Sequence, residues 1–412
     1  METIANTRKS SFSLVKKEYL IPFILVTSLF FMWGFARSIL DVLNKHFQED
    51  YGVSMGQSAL IQATTYVGYF LMAIPAGLFI NRWGYRKGVV LGLLFFSIGS
   101  LLFIPSEHIM SFNAFLVSLF VIGCGLVVLE TAANPYVTEL GSRETAASRL
   151  NLSQSFNGLG CILGPAIVGG MLFTSEGEEA VPVAVPYAAM GIVVLLAAVM
   201  FCKVQLPEIN RPQAGTQAKE ESSGNIMKRL VRSKGFMLGL FALFCYEIAE
   251  ISINSFFINY VTDDGWMTPR TASFVLAFGG LGLFMTCRVI GSWVMSKIAA
   301  ERVLLFCAIM TVIGAALITA NIGALSKAGL FACYAFEAIM FPTIFSICIR
   351  GLGSSTKIAS SFLMMTPLGG AVGTLSMGFM ADVTSMSTAF LIPLAGYAVV
   401  LIYSYMVVQK RV

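Results

Sequence analysis

The sequence has too few charged residues to cover the surface of a water-soluble protein of its length. Asp, Glu, Lys and Arg make up 12% of the 412 residues, whereas soluble domains contain about 25%. Hydrophobic residues account for 57%, and the mean hydropathy is +0.79. Most side chains must therefore face lipid or other apolar side chains. Because long apolar runs satisfy their backbone hydrogen bonds in lipid as helices, we predict an all-α membrane protein.

Residues typical of catalytic and metal sites are also scarce. The chain has only two histidines, His46 and His108, and none of its eight cysteines forms a CxxC pair. A membrane enzyme would need a nucleophile beside a base, or a set of metal ligands. We therefore expect neither an enzyme nor a cofactor or metal. The net charge of +5 reflects membrane topology, and no nucleic-acid partner is expected.

Twelve apolar segments are long enough to cross a bilayer, for which about 20 residues are needed. The first is too long for the apolar region of a signal peptide and lacks a small-residue cleavage site, so we expect it to remain in the protein. Numbered 1 to 12, the segments comprise residues 18–46, 57–80, 87–105, 111–138, 148–174, 181–202, 236–262, 269–297, 302–322, 328–350, 356–380 and 386–408.

Basic residues are distributed unevenly between the two sides of the predicted membrane. All but five of the 27 Lys and Arg residues lie at the termini or in alternate loops on one side. Since Lys and Arg gather in cytoplasmic loops, both termini are predicted to be cytoplasmic, in the inner (plasma) membrane of a bacterium. The five exceptions are Lys45, Arg270 and Lys327 on the other side, and Arg37 and Arg288 inside segments.

The two halves of the chain repeat a motif. Glu130-Thr-Ala-Ala-Asn-Pro135 in segment 4 matches Glu337-Ala-Ile-Met-Phe-Pro342 in segment 10, each with a Glu five residues before a Pro. We predict a six-helix half over residues 1–206, a cytoplasmic linker over 207–235, and a second six-helix half over 236–412. Repeated halves with a binding site between them near the midplane are typical of secondary transporters.

Several motifs resemble one transporter family. The loop Gly77-Leu-Phe-Ile-Asn81-Arg82-Trp-Gly84-Tyr-Arg86-Lys87 resembles the signature loop of the major facilitator superfamily, with Asn81 where the superfamily usually has Asp. More specific strings are similar to the fucose/glucose-galactose:proton symporters, the L-fucose permease-like branch. They are Trp33-Gly-Phe-Ala-Arg-Ser-Ile-Leu-Asp41 in segment 1, Leu129-Glu-Thr-Ala-Ala-Asn-Pro135 in segment 4 and Phe341-Pro-Thr-Ile-Phe-Ser346 in segment 10.

This resemblance implies the fold of the superfamily and transport by alternating access. It also implies that a carboxylate in the first helix and a Glu in the fourth are functionally critical. These positions correspond to Asp41 and Glu130, which we assign to proton coupling.

Carboxylates at membrane depth support a functional site independently of the resemblance. An ionised carboxylate at the bilayer centre costs roughly 2.5–3.5 kcal/mol on insertion scales, so such residues are functional hypotheses by default. A sugar loses water from its hydroxyls on binding, and each hydroxyl must find a new partner. Residues spaced three or four apart share a helix face, which predicts paired carboxylate and amide groups for the sugar. The pairs are Glu130 with Asn134, Gln154 with Asn157, and Glu250 with Asn254.

Aromatic side chains could stack on the C–H face of a sugar, and we assign Trp33 and Tyr246 to the substrate site with those pairs. Other charged residues are predicted to have gating or structural roles: Arg37, Arg82, Arg86, Arg288 and Glu337. Three structural alternatives stay open. Arg37 and Asp41 could form an ion pair, Glu337 could pair with Arg288, and Gln154 and Asn157 could serve helix packing.

We predict a proton-coupled symporter that imports a monosaccharide, either a hexose or a 6-deoxyhexose such as L-fucose, glucose or galactose. It is expected to act as a monomer in the bilayer. In the predicted mechanism, Asp41 or Glu130 takes a proton from outside, sugar binding is then favoured, and the halves rock around the site. One alternative is a Na⁺-coupled sugar symporter that uses the same carboxylates as oxygen ligands. The other is a drug or metabolite antiporter.

Overall fold

The structure is a computed structural model that describes residues 15, 17–141, 146–173, 181–204, 223–263, 265–295, 297–350, 352, 359 and 362–410. The described residues are predominantly helical and contain no strand, which confirms the predicted all-α class. Residues 207–222 of the predicted linker lie outside the described residues, as do residues 356–358, 360 and 361 of segment 11.

Twelve apolar helices follow one another along the described chain at the positions of the predicted segments. Their bounds are α1 Leu20–Tyr51, α2 Leu60–Trp83, α3 Tyr85–Leu101, α4 Phe112–Glu139, α5 Ala146–Leu172, α6 Ala184–Lys203, α7 Lys234–Asp263, α8 Pro269–Met295, α9 Ala300–Thr319, α10 Ala324–Ile349, α11 Leu368–Val383 and α12 Leu391–Val408. Shorter helices are Met55–Ser58, Phe103–Ile109, Ser223–Arg232 and Met386–Ala389.

Eleven of these regions are long and apolar enough to cross a membrane. The twelfth, α11, has only 16 described residues, so the count of twelve spans remains a prediction. The protein is nevertheless a multi-pass helical membrane protein, because lipid-length apolar helices recur along its whole described length.

Helix α1 is longer than predicted. It continues to Tyr51, beyond the predicted end at residue 46, and stops at Gly52, whose φ of 62° is left-handed. The last turns of α1 carry Gln48, Glu49 and Asp50. Because these residues are polar, the search for apolar segments did not predict that the helix continues through them. Glycine provides the left-handed C-terminal cap.

Small residues set the closest helix contacts. α1 lies along α5, and a Cβ atom on Gly34 would be 2.3 Å from the carbonyl oxygen of Asn157. A Cβ on Gly160 would be equally close to the carbonyl oxygen of Phe31. The two backbones therefore touch, as is typical of membrane helices that pack through glycine.

Helices before residue 204 meet helices after residue 234 at the end of the bundle where α1 ends. Asn44 on α1 donates to the carbonyl oxygen of Ser255 on α7 at 2.7 Å, and Asn259 on α7 donates to Gln48 on α1. The Asp382 carboxylate at the end of α11 accepts hydrogen bonds from the backbone N–H groups of residues 55 and 56, both at 2.8 Å. These contacts close the end of the bundle that is predicted to face outside.

Candidate functional site

Arg37 is the centre of a polar cluster in the middle of α1. Its Nε donates to the Tyr66 hydroxyl of α2 at 3.0 Å, and its Nη2 lies 3.8 Å from Glu250 Oε2 on α7. The Arg37 side chain is 38% exposed, so it faces accessible space at membrane depth. The cluster therefore joins the N-terminal and C-terminal helices through an ion pair.

Asp41 has a different partner from the one that its spacing suggested. Its Oδ1 accepts a hydrogen bond from Gln62 Nε2 at 2.7 Å, while the ion pair of Arg37 is made with Glu250. Asp41 is buried, at 7% exposure, and interacts electrostatically with Arg37 at longer range. The described contacts thus do not form the Arg37–Asp41 ion pair, and Asp41 lies deeper in the bundle than Arg37.

The predicted α4–α5 part of the site comes together in the structure. Gln154 Nε2 of α5 lies 3.5 Å from Asn134 Oδ1 of α4. Glu130, one turn before Asn134, is half-buried and interacts electrostatically with Arg37. These three side chains therefore offer carboxylate and amide groups to the same accessible region as Arg37.

The contacts of Asn157 are those of a residue that packs two helices together. Its Nδ2 donates to the carbonyl oxygen of Phe30 on α1 at 3.1 Å, and Cys161 Sγ lies 3.9 Å from its Oδ1. A backbone carbonyl as partner leaves the amide nitrogen less available to a sugar. The packing alternative is thus favoured for Asn157 by these contacts, whereas Gln154 bonds only another side chain of the predicted site.

The spacing argument for α7 agrees with the geometry. Asn254 Nδ2 donates to Glu250 Oε1 at 3.2 Å, so the two residues share a face. Asn254 is buried, and its Oδ1 has no hydrogen-bond partner among the described residues. Glu250 therefore bridges Arg37 and Asn254, with one carboxylate oxygen toward each.

Neither predicted stacking residue is exposed in this conformation. Trp33 is 3% exposed, and its ring centroid lies 4.2 Å from that of Phe30. Tyr246 is 1% exposed, and its hydroxyl donates to the backbone carbonyl of Glu337 at 3.3 Å. Both rings pack in the protein interior here, and their predicted sugar contacts would need another conformation.

Arg288 and Glu337 are neighbours without a direct ion pair between them. Arg288 Nε donates to the backbone carbonyl of Ala338 at 2.9 Å, and its guanidinium lies 4.5 Å from the Phe284 ring centroid. Glu337 Oε2 instead accepts a hydrogen bond from the Tyr397 hydroxyl of α12. The two residues therefore do not pair with each other in this structure. Arg288 binds the main chain, and Glu337 binds the phenol group of Tyr397.

The basic loop between α2 and α3 lies at an end of the bundle. Arg86 donates through Nε to the carbonyl oxygen of Phe201 at 3.1 Å and through Nη2 to that of Cys202. It therefore caps the C-terminal end of α6, where a cation also complements the helix dipole. Arg82 is exposed, with its guanidinium 5.3 Å from the Trp83 ring centroid.

Sequence reasoning missed two polar partners of the site. Gln62 donates a hydrogen bond to Asp41, and Tyr397 donates one to Glu337. Gln62 could have been noticed, because a lone amide inside an apolar segment is costly without a partner. Tyr397 carried no such signal, since a tyrosine in an apolar helix is equally compatible with packing or lipid contact.

Carboxyl groups outnumber cations in this cluster, which is partly buried. Two guanidinium groups cannot neutralise five carboxylates, and unpaired charge in the bilayer interior is costly. Removal from water favours the neutral form of a carboxyl group, so the cluster is suited to hold protons. Its carboxyl groups are those of Asp41, Glu130, Glu247, Glu250 and Glu337, and its guanidinium groups are those of Arg37 and Arg288.

A polar cluster that is shared by two sets of membrane-spanning helices is typical of a multi-pass membrane transporter. Residues 26–362 match the family model of the Major Facilitator Superfamily. The chain belongs to this superfamily, which confirms the predicted family and fold.

The similarity extends to named members of the superfamily. The chain is 34% identical to the L-fucose-proton symporter of Escherichia coli (strain K12), over 94% of this chain and 93% of that protein. It is 35% identical to the glucose/galactose transporter of Brucella abortus biovar 1 (strain 9-941), over 94% of each. A crystal structure of the transporter FucP in the outward conformation gives a TM-score of 0.69 at 33% identity, covering 95% of this chain and 99% of that chain. The chain therefore belongs to the branch that contains these sugar transporters.

Proposed function

We propose that this protein is a proton-coupled symporter that imports a monosaccharide by alternating access. The substrate is a hexose or a 6-deoxyhexose, in the class of L-fucose, glucose and galactose. The protein acts as a monomer in a bacterial inner membrane, with both termini in the cytoplasm, and carries out transport rather than catalysis. The observation that carries the proposal is the excess of carboxyl groups over guanidinium groups in the cluster around Arg37, in a chain similar over 94% of its length to an L-fucose-proton symporter.

The contacts suggest how protonation acts on conformation. Glu250 and Arg37 form an ion pair between α7 and α1, and Glu130 interacts electrostatically with the same arginine. A proton on a carboxyl group near Arg37 changes which anion the guanidinium binds. Protonation and sugar binding can therefore alter the contact between the two sets of helices at the level of the site.

Closure of one end of the bundle supports alternating access. The described hydrogen bonds between N-terminal and C-terminal helices lie at the end predicted to face outside. Alternating access requires a state in which one end of the bundle is closed.

Counterflow into proteoliposomes with a panel of labelled sugars tests the substrate class. We expect exchange of one or more of L-fucose, D-glucose and D-galactose, and none of unrelated drugs or amino acids. Net uptake should need a proton gradient, collapse with a proton uncoupler and be unaffected by sodium. Uptake that requires sodium and survives the uncoupler would replace proton coupling by sodium coupling, and exchange of drugs alone would overturn the sugar proposal.

The coupling residues are tested with neutral mimics. Asp41→Asn and Glu130→Gln keep the shape of the protonated side chain but cannot release a proton. For at least one of them we expect counterflow to survive while net uphill uptake is lost, because the empty carrier returns only in its deprotonated form. Glu49→Gln is the control, since Glu49 lies on the same helix as Asp41 but pairs with Lys45 at the end of α1. If both mimics concentrate sugar as the wild type does, these carboxylates are not the coupling site.

A further inference from the structure

One part of the polar cluster lies within the C-terminal helices, around Glu337. This side chain is 0% exposed. Its Oε2 accepts a hydrogen bond from Tyr397, and its Oε1 has no hydrogen-bond partner among the described residues. An ionised carboxylate with one bare oxygen in the bilayer interior is strongly disfavoured. The geometry therefore leaves Oε1 as the place where a proton resides.

The helix that carries Glu337 is interrupted at this residue. α10 consists of Ala324–Glu337 and Met340–Ile349. Pro342 has no N–H group, so the carbonyl of Ala338, four residues earlier, cannot receive its usual helical hydrogen bond. Arg288 donates to this carbonyl at 2.9 Å. The nearby cation is thus held by the main chain, and the Glu337 carboxyl group is left without a counter-ion in direct contact.

The neighbouring helix is also irregular at this level. α8 contains a π-helical segment, Val275–Leu281, and a Cβ atom on Gly280 would lie 3.1 Å from the Tyr334 ring. Tyr334 precedes Glu337 by three residues, so the irregular part of α8 packs against the turn that carries the carboxyl group. π-helical turns occur frequently at functional sites, and discontinuous membrane helices frequently bind coupling ions.

The titratable groups around Glu337 supply little positive charge. Arg288 is the one cation among the described groups that interact with it, and Glu250, which shares the surroundings, is already paired with Arg37. The remaining neighbours are neutral donors and one thiol. The groups that face Glu337 are Arg288 on α8, Tyr246 and Glu250 on α7, Tyr397 on α12, and Cys333 and Tyr334 on α10.

We propose that Glu337 is a second proton-binding site, and that its carboxyl group takes up and releases one proton in each transport cycle. Two protons then accompany each sugar, one on Asp41 or Glu130 and the other on Glu337. The inference rests on the proposed function and adds a coupling site in the C-terminal helices. Like the first coupling carboxyl group, Glu337 must release its proton to the cytoplasm before the empty carrier returns, because a proton that is carried back is not coupled to the sugar.

The test is the thermodynamic stoichiometry of uptake. In proteoliposomes with the membrane potential held at zero and a pH difference of one unit, each coupled proton contributes a factor of about 10 to the final accumulation. We expect wild-type protein to accumulate the sugar about 100-fold. Glu337→Gln should only equilibrate the sugar, because a permanently neutral residue 337 cannot release the proton that must leave before the empty carrier returns. Counterflow should be retained in the variant. Glu301→Gln is the matched control, since it makes the same substitution at the start of α9, where Glu301 pairs with Arg350, and it should accumulate like wild type.

The outcomes separate this inference from the proposed function. About 10-fold accumulation by wild type, or equal ratios for wild type and Glu337→Gln, overturns the second site while proton coupling stands. Counterflow without any response to the pH difference overturns the proposed function itself. If Glu337→Gln does not fold, Glu337→Asp keeps a titratable group and should keep the wild-type ratio with an altered pH dependence. An unchanged pH dependence in that variant would also count against Glu337 as a proton site.

Discussion

Asp382 at the end of α11 should hold closed the end of the bundle that is predicted to face outside, called the outer end below. Both of its carboxylate oxygens accept backbone hydrogen bonds at 2.8 Å, from Met55 and Gly56. The approach is close, because a Cβ atom on Gly378 would lie 2.6 Å from the carbonyl oxygen of Met55. The carboxylate therefore pins the short helix before α2 to the end of α11, across the two sets of helices.

The substitution Asp382→Asn keeps one acceptor oxygen and places an NH₂ group against a backbone N–H donor. A hydrogen bond to a charged group contributes about 1.5–3 kcal/mol, and exposure of Asp382 to solvent reduces this through screening. We take about 1–2 kcal/mol as the loss, which shifts the equilibrium between closed and open outer ends roughly 5–30-fold toward open. The state open to the outside should then become substantially populated.

Pulsed electron paramagnetic resonance can measure this shift. Spin labels on Asn113 at the start of α4 and Ala320 after α9, in a background without native cysteines, report the width of the outer end. In Asp382→Asn we expect a larger population of long distances than in wild type. Asp263→Asn is the matched control, because Asp263 is exposed at the end of α7 and the substitution removes the same charge on the same side. Identical distributions for wild type and both variants would refute the reasoning that Asp382 stabilises the closed end.

Three further predictions concern α5 and its contact with α1. Gln154→Ala should weaken sugar affinity by about 1–3 kcal/mol in a binding assay, because it leaves a sugar hydroxyl unpaired; unchanged affinity would remove Gln154 from the site. Asn157→Ala should mainly lower thermal stability, by about 1 kcal/mol for the lost bond to α1, and a purely affinity-based defect would contradict its packing role. Gly34→Ala should destabilise the protein by about 1–3 kcal/mol through overpacking, whereas Gly77→Ala should not, since a Cβ there meets nothing within 4 Å. Equal melting temperatures for the two glycine variants would show that the α1–α5 contact accommodates the added methyl group without loss of stability.

The positions of the helices could be read from the sequence because lipid imposes a length and a polarity on every span. α4 was predicted at 111–138 and lies at Phe112–Glu139; α7 was predicted at 236–262 and lies at Lys234–Asp263. The end of α1 was predicted wrongly because its last turns lie beyond the apolar layer. There the residues are polar, so hydrophobicity no longer indicates where the helix ends, and the helix stops only at Gly52, whose backbone is left-handed.

Contacts between helices could not be read in the same way. Spacing along α1 left an ion pair of Arg37 with Asp41 open as an alternative, but the arginine reaches Glu250 on another helix. Spacing along α7 did predict the shared face of Glu250 and Asn254. Trp33 was assigned to the sugar but is buried, because a helix that is apolar all round does not reveal which face meets the bundle. The spacing of residues along a helix thus predicts which of them share a face of that helix. It does not predict their partners on other helices.

The two kinds of contact between the halves differ in how they respond to ligands. At the outer end, the halves meet through amide bonds to neutral partners, Asn44 to Ser255 and Asn259 to Gln48, and through the Asp382 carboxylate. Each amide bond contributes about 0.5–1.5 kcal/mol net and can be exchanged for water, and the bonds of Asp382 add to this cost. At the level of the site, the halves meet through Arg37 and Glu250, whose interaction depends on protonation. A proton or a sugar can therefore change the contact at the site directly, whereas opening of the outer end must also break the bonds of Asp382.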